Sequence, residues 1–381
     1  MRPRVVYWNN IPAPYMVERF NAVARRGNLD FEAWFSARTK AGRSWKVDES
    51  SWEFRHVYLP SVNRGTYPLA IPAPLVRGSM PDVFVSLYAA PVFLLGSALA
   101  SARGARTVFW VEVTFDSWVK RRAWKETVKS AAFRRVDAIF TAGRDGREFA
   151  LRYGAPSDRI FVVPHVVDFE HYARRSASAR RERERIRADL GLRGITFIYV
   201  GRLWRGKGLT YLLDAFERLQ RTTPTDVSLL LVGDGVDEEL LRARAAEKRL
   251  ANVVFADFHD ADSLPSLYAA ADVFVFPTLG DPFGMVVPEA MACSLPVIAT
   301  TASGEIHDRV VDGLNGFIVP PGDSDALSER MQVLAQDPER RRAMAEASRL
   351  RVEGPSPDQW AQAFESAISR TLDLPKWKRR D

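Results

Sequence analysis

The chain has 381 residues and a mass of 42.9 kDa, long for one hydrophobic core and comfortable for two, and its 46% hydrophobic and 27% charged residues exclude a disordered chain. A single cysteine, Cys293, excludes an internal disulfide and a cysteine metal cluster, and the five histidines (His56, His165, His171, His259, His307) stand at none of the close spacings that zinc sites use. The net charge of +7 is uneven: residues 1–170 carry 25 Lys and Arg against 16 Asp and Glu, residues 171–381 carry 29 against 31, so the first half favours anionic partners without choosing among them.

The chain opens on a short apolar run, VVYW, followed at once by Asn9, Asn10, Ile11 and Pro12, too short for the apolar region of a signal peptide. With the lone thiol, this leads us to expect a cytoplasmic protein. An amphipathic helix follows in YMVERFNAVARRG. Val83 to Ala102 is twenty residues without a formal charge, the length of a membrane span. Its β-branched start VFVSLY, the proline at Pro91 and the later run TVFWVEV instead predict strand, helix, strand, because buried parallel strands are apolar on both faces.

Residues 118–135, WVKRRAWKETVKSAAFRR, hold seven Lys and Arg against one Glu, with Trp124, Val128, Ala131 and Ala132 at helical spacing. Two readings stand: a helix lying on an anionic membrane, peripheral to its inner face, or an ordinary surface helix that buries its tryptophans in the core. Strand signals AIFTAG and FVVPHV close the first half, and after Asp168 the arginine-dense stretch HYARRSASARRERERIRADLGLRG reads as a domain boundary, its arginines on a solvated linker or helix face. Interleaved glutamates weigh against a nucleic-acid arm, and no recognition-helix or zinc-finger pattern occurs; nucleic acid is not an expected partner.

The second half alternates strands and helices: ITFIYV, VSLLLV, VVFADF, DVFVFP, PVIAT and GFIVP, with helices between. This predicts an α/β doubly wound parallel sheet whose ligand lies at the carboxyl ends of the strands. The domains expected are 1–170, 171–357 including the linker, and a C-terminal helix, 358–381, whose packing partner the residues do not specify.

Two segments carry chemistry. In GRLWRGKG, Gly201 to Gly208, glycines permit close backbone approach while Arg202 and Lys207 supply two cations after a strand, suiting a diphosphate; the alternative is a glycine turn with two surface cations. In LGDPFGMVVPEAMA, Pro288 suits a first helical position, placing Glu289 in the first turn after a loop from Asp281 to Met285. Each carboxylate there can accept hydrogen bonds from two sugar hydroxyls, or Glu289 serves the helix dipole and Asp281 a turn. Neither G-x-x-x-x-G-K-[ST] nor G-x-G-x-x-G is present.

The series G-R-L-x-x-x-K-G, VGDG, YAAADVFVFPT, DPFGMVVPEAMA and SGEIHDRVVDGLNGFIVPPGD, spanning roughly residues 195–330, resembles glycosyltransferase family 4, the group 1 glycosyltransferases of the GT-B fold. The resemblance implies two Rossmann-like domains facing across a cleft, with the C-terminal helix, 358–381, crossing back to the first domain. It also implies metal-independent, retaining transfer of a sugar from a nucleotide-diphosphate donor, with no cofactor, to a glycan, lipid-linked or small-molecule acceptor held by the first domain. Carried over residue by residue, it gives Arg202 and Lys207 to the donor diphosphate, Glu289 to the ribose, and Asp281 with the Phe283, Gly284 and Met285 backbone to the sugar. The base falls near Phe258 and His259.

This sequence departs from the family where a glutamate usually stands and Asp281 is found, one methylene or about 1.5 Å shorter. A histidine often ends a first-domain strand where this chain has Glu112, either a site carboxylate or a buried, satisfied one. The family's asparagine-glycine is His165-Val166 here, and its early glycine pair is replaced around Asn10; both are assigned to the acceptor by analogy. A sugar-nucleotide epimerase or sugar phosphorylase of the same fold, or a non-catalytic anionic-surface binder, are the competing readings.

Overall fold

The computed structural model describes residues 1–39, 47–62, 69–112, 123–353 and 356–376. They form two compact units, residues 1–112, 123–166 and 356–376 in the first and residues 167–353 in the second.

The first unit is built on β1 (Arg4–Asn9), β2 (Asp30–Phe35), β3 (Arg55–Tyr58), a small antiparallel pair β4 (Ser61–Val62) and β5 (Leu69–Ala70), then β6 (Val83–Ser86), β7 (Arg106–Val111), β8 (Ala138–Thr141) and β9 (Ile160–Val162). Seven of them form one sheet in the order β3-β2-β1-β6-β7-β8-β9, every pairing parallel. The uncharged run after Val83 divides as its residues predict. The four β6 residues are all buried, Pro91 opens the helix Pro91–Ala102 in its first turn, and β7 follows. Among the described residues no helix is long and apolar enough to cross a membrane.

Helix Pro14–Arg26 leads from β1 to β2, started by Pro14 and ended by Gly27, whose left-handed φ of 62° lets its N–H close on the Val23 carbonyl. The C-terminal helix Pro357–Asp373 packs on it within the first unit, burying Trp360 and Phe364, stacked at 5.0 Å, in the core with Phe20 and Phe31.

The second unit holds β10 (Ile195–Val200), β11 (Val227–Val232), β12 (Val253–Ala256), β13 (Val273–Phe276), β14 (Val297–Thr300) and β15 (Gly316–Val319), in the order β12-β11-β10-β13-β14-β15 and parallel throughout. All six residues of β11 are buried, which is why it reads as an unbroken apolar run. Helix Leu209–Thr222 buries Leu209, Leu212, Leu213, Phe216 and Leu219, the stripe a 3.6-residue period dictates, with each leucine worth about 1.5–3 kcal/mol. Strand order reverses between β10 and β13, the point at which a doubly wound sheet places its ligand crevice, outside the carboxyl ends of the strands.

The arginine-dense stretch after Asp168 forms helices Phe169–Ala179 and Arg183–Asp189 in the second unit, with Arg174, Arg181 and Arg185 exposed as the helix-face expectation has them. Arg180, Arg183 and Arg187 instead turn to main-chain carbonyls that helix ends leave open. Arg183 donates to the carbonyls of Ala269 (2.7 Å) and Ala271 (3.0 Å) and pairs with Asp272. Buried Arg187 reaches Thr196 (3.0 Å) and the Ala270 carbonyl (2.9 Å).

Candidate functional site

At the reversal point, the loop after β10 carries Gly201 and Arg202, and the short 3-10 turn Arg205–Lys207 carries the ammonium. Gly208 closes that turn at φ 68°, and a Cβ there would stand 2.0 Å from the Pro277 carbonyl oxygen, so only glycine lets this loop approach the end of β13. Opposite it, Asp281 forms an isolated bridge with Ser303, taking the Ala302 carbonyl through its own N–H (3.0 Å) and offering its carbonyl to the Gly304 N–H (2.9 Å). The loops leaving β10, β13 and β14 thus meet.

The Lys207 Nζ bonds the Asp281 carboxylate and lies 5.3 Å from the centroid of the Phe276 ring; the two side chains are only 12% and 15% exposed. Burial by itself raises the Asp281 pKa, but the Lys207 charge and the N–H groups of Phe283 (3.0 Å) and Gly284 outweigh it and hold the carboxyl below its ordinary value. Half-buried Arg202 stacks on Trp204 at 5.1 Å. Beneath it the buried Tyr199 phenol, pushed well up by burial and then by the Asp281 charge, donates to the Arg202 carbonyl (3.0 Å).

The helix bearing Glu289 runs from Val286 to Ala292, so Pro288 is its third residue rather than its first. Glu289 still lies in the first turn, where its carboxylate accepts from the buried Tyr268 hydroxyl (3.2 Å). Phe283 and Gly284 are buried beside it and Met285 is half-buried. Phe258 and His259 follow β12 at the sheet margin; Phe258 is 42% exposed and His259 meets Ser263 (3.2 Å). The structure therefore gathers Gly201, Arg202, Lys207, Asp281, Phe283, Gly284, Met285 and Glu289 about one reversal point, with Phe258 and His259 two strands away.

In the first unit Asn10 follows β1, Glu112 follows β7 and His165 follows β9, all on the carboxyl edge of the sheet. The His165 Nε2 is 3.7 Å from the Glu112 carboxylate, which also accepts from the Trp110 indole (3.1 Å). Glu112 is half-buried rather than enclosed, its side chain 26% exposed. A residue that sequence reasoning passed over completes this cluster. Arg19, buried on helix Pro14–Arg26, contacts the other ring nitrogen of His165, donates to the Val166 carbonyl (2.7 Å), and has its pKa lowered by burial to about 10. Its signal was an arginine on the same helical face as Met16, Phe20 and Val23.

Residues 118–122 of the basic segment lie outside the described residues. Residues 123–133 form helix Ala123–Phe133, on which Trp124 is 60% and Val128 46% exposed, and Arg134 and Arg135 lie in the turn after it. The expectation of a core-buried tryptophan fails for Trp124, because Phe133 is the residue this helix turns inward. Cys293 is buried in the second unit, its thiol pushed by burial to about 12. Among the described residues no group of three His, Cys, Asp or Glu side chains is placed to hold a metal ion.

A family model described as glycosyl transferases group 1 matches residues 181–351. The GDP-mannose-dependent alpha-(1-6)-phosphatidylinositol monomannoside mannosyltransferase of Mycolicibacterium smegmatis is 35% identical over 275 residues, 68% of this chain and 69% of that protein. The alpha-D-kanosaminyltransferase of Streptomyces kanamyceticus is 28% identical over 60% of this chain, which spans little more than half of that relative (56%). The structure of Anabaena Alr3699/HepE in complex with UDP superposes with a TM-score of 0.78 at 18% identity, covering 97% of this chain and 100% of that one, which establishes the GT-B fold. The chain belongs to the group 1 glycosyltransferases. It is accordingly an enzyme of glycosyl transfer, with two parallel-sheet, Rossmann-like units.

Proposed function

We propose that the protein transfers a hexosyl group from a nucleoside-diphosphate sugar to a hydroxyl of a glycan, lipid-linked or small-molecule acceptor, without a metal and with retention at the anomeric carbon. The observation that carries this reading is the Lys207–Asp281 contact at the reversal point, with Arg202 on the same loop. The bond from the anomeric carbon to the β-phosphate oxygen breaks, the bond to the acceptor oxygen forms, and the acceptor proton passes to the departing diphosphate. Arg202 and Lys207 meet the charge that accumulates on that diphosphate, while Glu289 takes the ribose hydroxyls and Asp281 with the 283–285 backbone takes the sugar. Asn10, Glu112 and His165 receive the acceptor on the first unit.

The GDP-mannose dependence named for the relative at 35% identity makes GDP the first probe. In thermal-shift measurements against GDP, UDP and ADP, one nucleoside diphosphate at 100 times its Kd stabilises the protein by about 2.7 kcal/mol and the others less. A flat response to all three at millimolar concentration contradicts the donor assignment.

The exposed side chains of the first unit favour a lipid-linked acceptor. Leu95 (70% exposed), on helix Pro91–Ala102, and Trp124 and Val128, on helix Ala123–Phe133, are apolar and accompanied by the exposed Lys125. Apolar insertion together with basic headgroup contact is the pairing that holds a helix at an anionic bilayer. The protein is expected to sediment with vesicles containing anionic lipid, less so in high salt, and Trp124→Ser is expected to weaken that binding. Equal sedimentation with neutral vesicles would count against the contact.

A further inference from the structure

Arg309 ends the four-residue helix Ile306–Arg309 that follows β14, and it is only 9% exposed. Its guanidinium is turned inward, onto main-chain oxygens. Nη1 donates to the Gly284 carbonyl (3.0 Å), Nη2 reaches the carbonyls of Phe283 and Gly304, and Nε reaches that of Glu305 (3.2 Å). The guanidinium also lies over the Phe283 ring, 4.3 Å from its centroid. One planar cation thus gathers four carbonyls from the two loops that meet at Asp281. Its own carbonyl is held in turn by Asn315 (3.1 Å) and Arg351 (2.9 Å).

This grip sets the direction of the loop's donors. In a trans peptide unit the C=O and the following N–H point in opposite directions, so turning the Phe283 and Gly284 carbonyls toward Arg309 turns the Gly284 and Met285 N–H groups away from it. Gly284, at φ 69°, supplies the left-handed turn this requires; a Cβ there would meet the Phe276 ring at 2.7 Å. The Gly284 N–H, with that of Phe283, faces the Asp281 carboxylate. A positive charge on the carbonyl side also polarises these peptide units, strengthening their N–H groups as donors.

We propose that Arg309 is a positioning residue that shapes the 281–285 loop for the sugar of the donor and leaves recognition of the nucleotide diphosphate to Arg202, Lys207 and Glu289. The inference rests on the donor-site reading above. It predicts a selective defect. A lysine keeps the charge but lacks the planar fork that spans several carbonyls, and methionine keeps only the length.

The test compares wild type, Arg309→Lys and Arg309→Met by calorimetric binding of GDP and GDP-mannose, with UDP and UDP-glucose as a second pair, and by steady-state kinetics. Both variants are expected to bind the nucleoside diphosphate within twofold of wild type. The nucleotide sugar is expected to lose tenfold or more in affinity, kcat to fall at least tenfold, and donor hydrolysis to rise relative to transfer, with Arg309→Lys the milder. If Arg309→Met does not fold by near-ultraviolet circular dichroism, the Arg309→Lys comparison decides. Equal loss of both ligands in a folded variant, or unchanged kcat and sugar affinity, overturns the proposal. Wild type that binds neither nucleoside diphosphate overturns the donor-site reading, and this inference with it.

Discussion

Lys207→Ala is expected to lower kcat by about 10²- to 10³-fold, the range found when one fixed donor to a developing oxyanion is removed. At about 4 Å and an effective dielectric near 20, the ammonium attracts each unit of diphosphate charge by roughly 4 kcal/mol before desolvation, and the charge on the departing group grows as the glycosidic bond breaks. The substitution also strands Asp281, whose carboxylate is held ionised chiefly by this partner against the opposing effect of burial. Lys207→Arg preserves the charge but displaces it, so an intermediate rate is expected. Steady-state rates of nucleoside-diphosphate release, measured with saturating donor, provide the check; an alanine variant within threefold of wild type would remove Lys207 from the chemistry.

Asp281→Asn is expected to cost about 2 kcal/mol of stability at pH 7 and about 10²-fold in kcat, because asparagine still accepts the Phe283 N–H but cannot answer the Lys207 charge. The sign of its pH dependence follows from the lowered pKa of Asp281 in the folded protein. A carboxyl bound more weakly by protons when folded than when unfolded stabilises the fold at pH values above its unfolded pKa, near 3.9, and this stabilisation disappears as pH falls through the folded value. The stability gap between wild type and Asp281→Asn should therefore be full at pH 7 and shrink below about pH 4. Denaturant melts at pH 7, 5 and 3 measure it. A gap of constant size would show that Asp281 contributes shape and no charge.

The shorter side chain at Asp281 has a structural consequence that a sequence comparison does not disclose. The aspartate accepts the N–H two residues ahead, at Phe283, while it holds Lys207, so its length suits a tight local turn. Arg19 and Arg309 remained hidden for a related reason. Both are charged residues on the inward faces of amphipathic helices, and each bonds main-chain groups of another segment: Val166 is 147 positions from Arg19, and Gly284 is 25 positions from Arg309. Side-chain pattern carries no mark of a carbonyl acceptor. The inward roles of Arg183 and Arg187 stayed hidden in the same way, because a composition typical of solvated segments also suits the capping of helix carbonyls at Ala269 and Ala270.

The order of strands and helices, the parallel sheets and the two cationic and acidic loops at the reversal point were legible from residue order alone. Strand burial on both faces, proline at helix starts and glycine in left-handed turns are local requirements, and each leaves its residue type in the chain. Tertiary structure alone decided which buried cations organise those loops, that Trp124 faces outward, and that Trp360 and Phe364 are the residues by which the C-terminal helix enters the first unit's core. These outcomes depend on hydrogen bonds to backbone and on packing between segments distant in sequence, and such partners are specified only once the chain has folded.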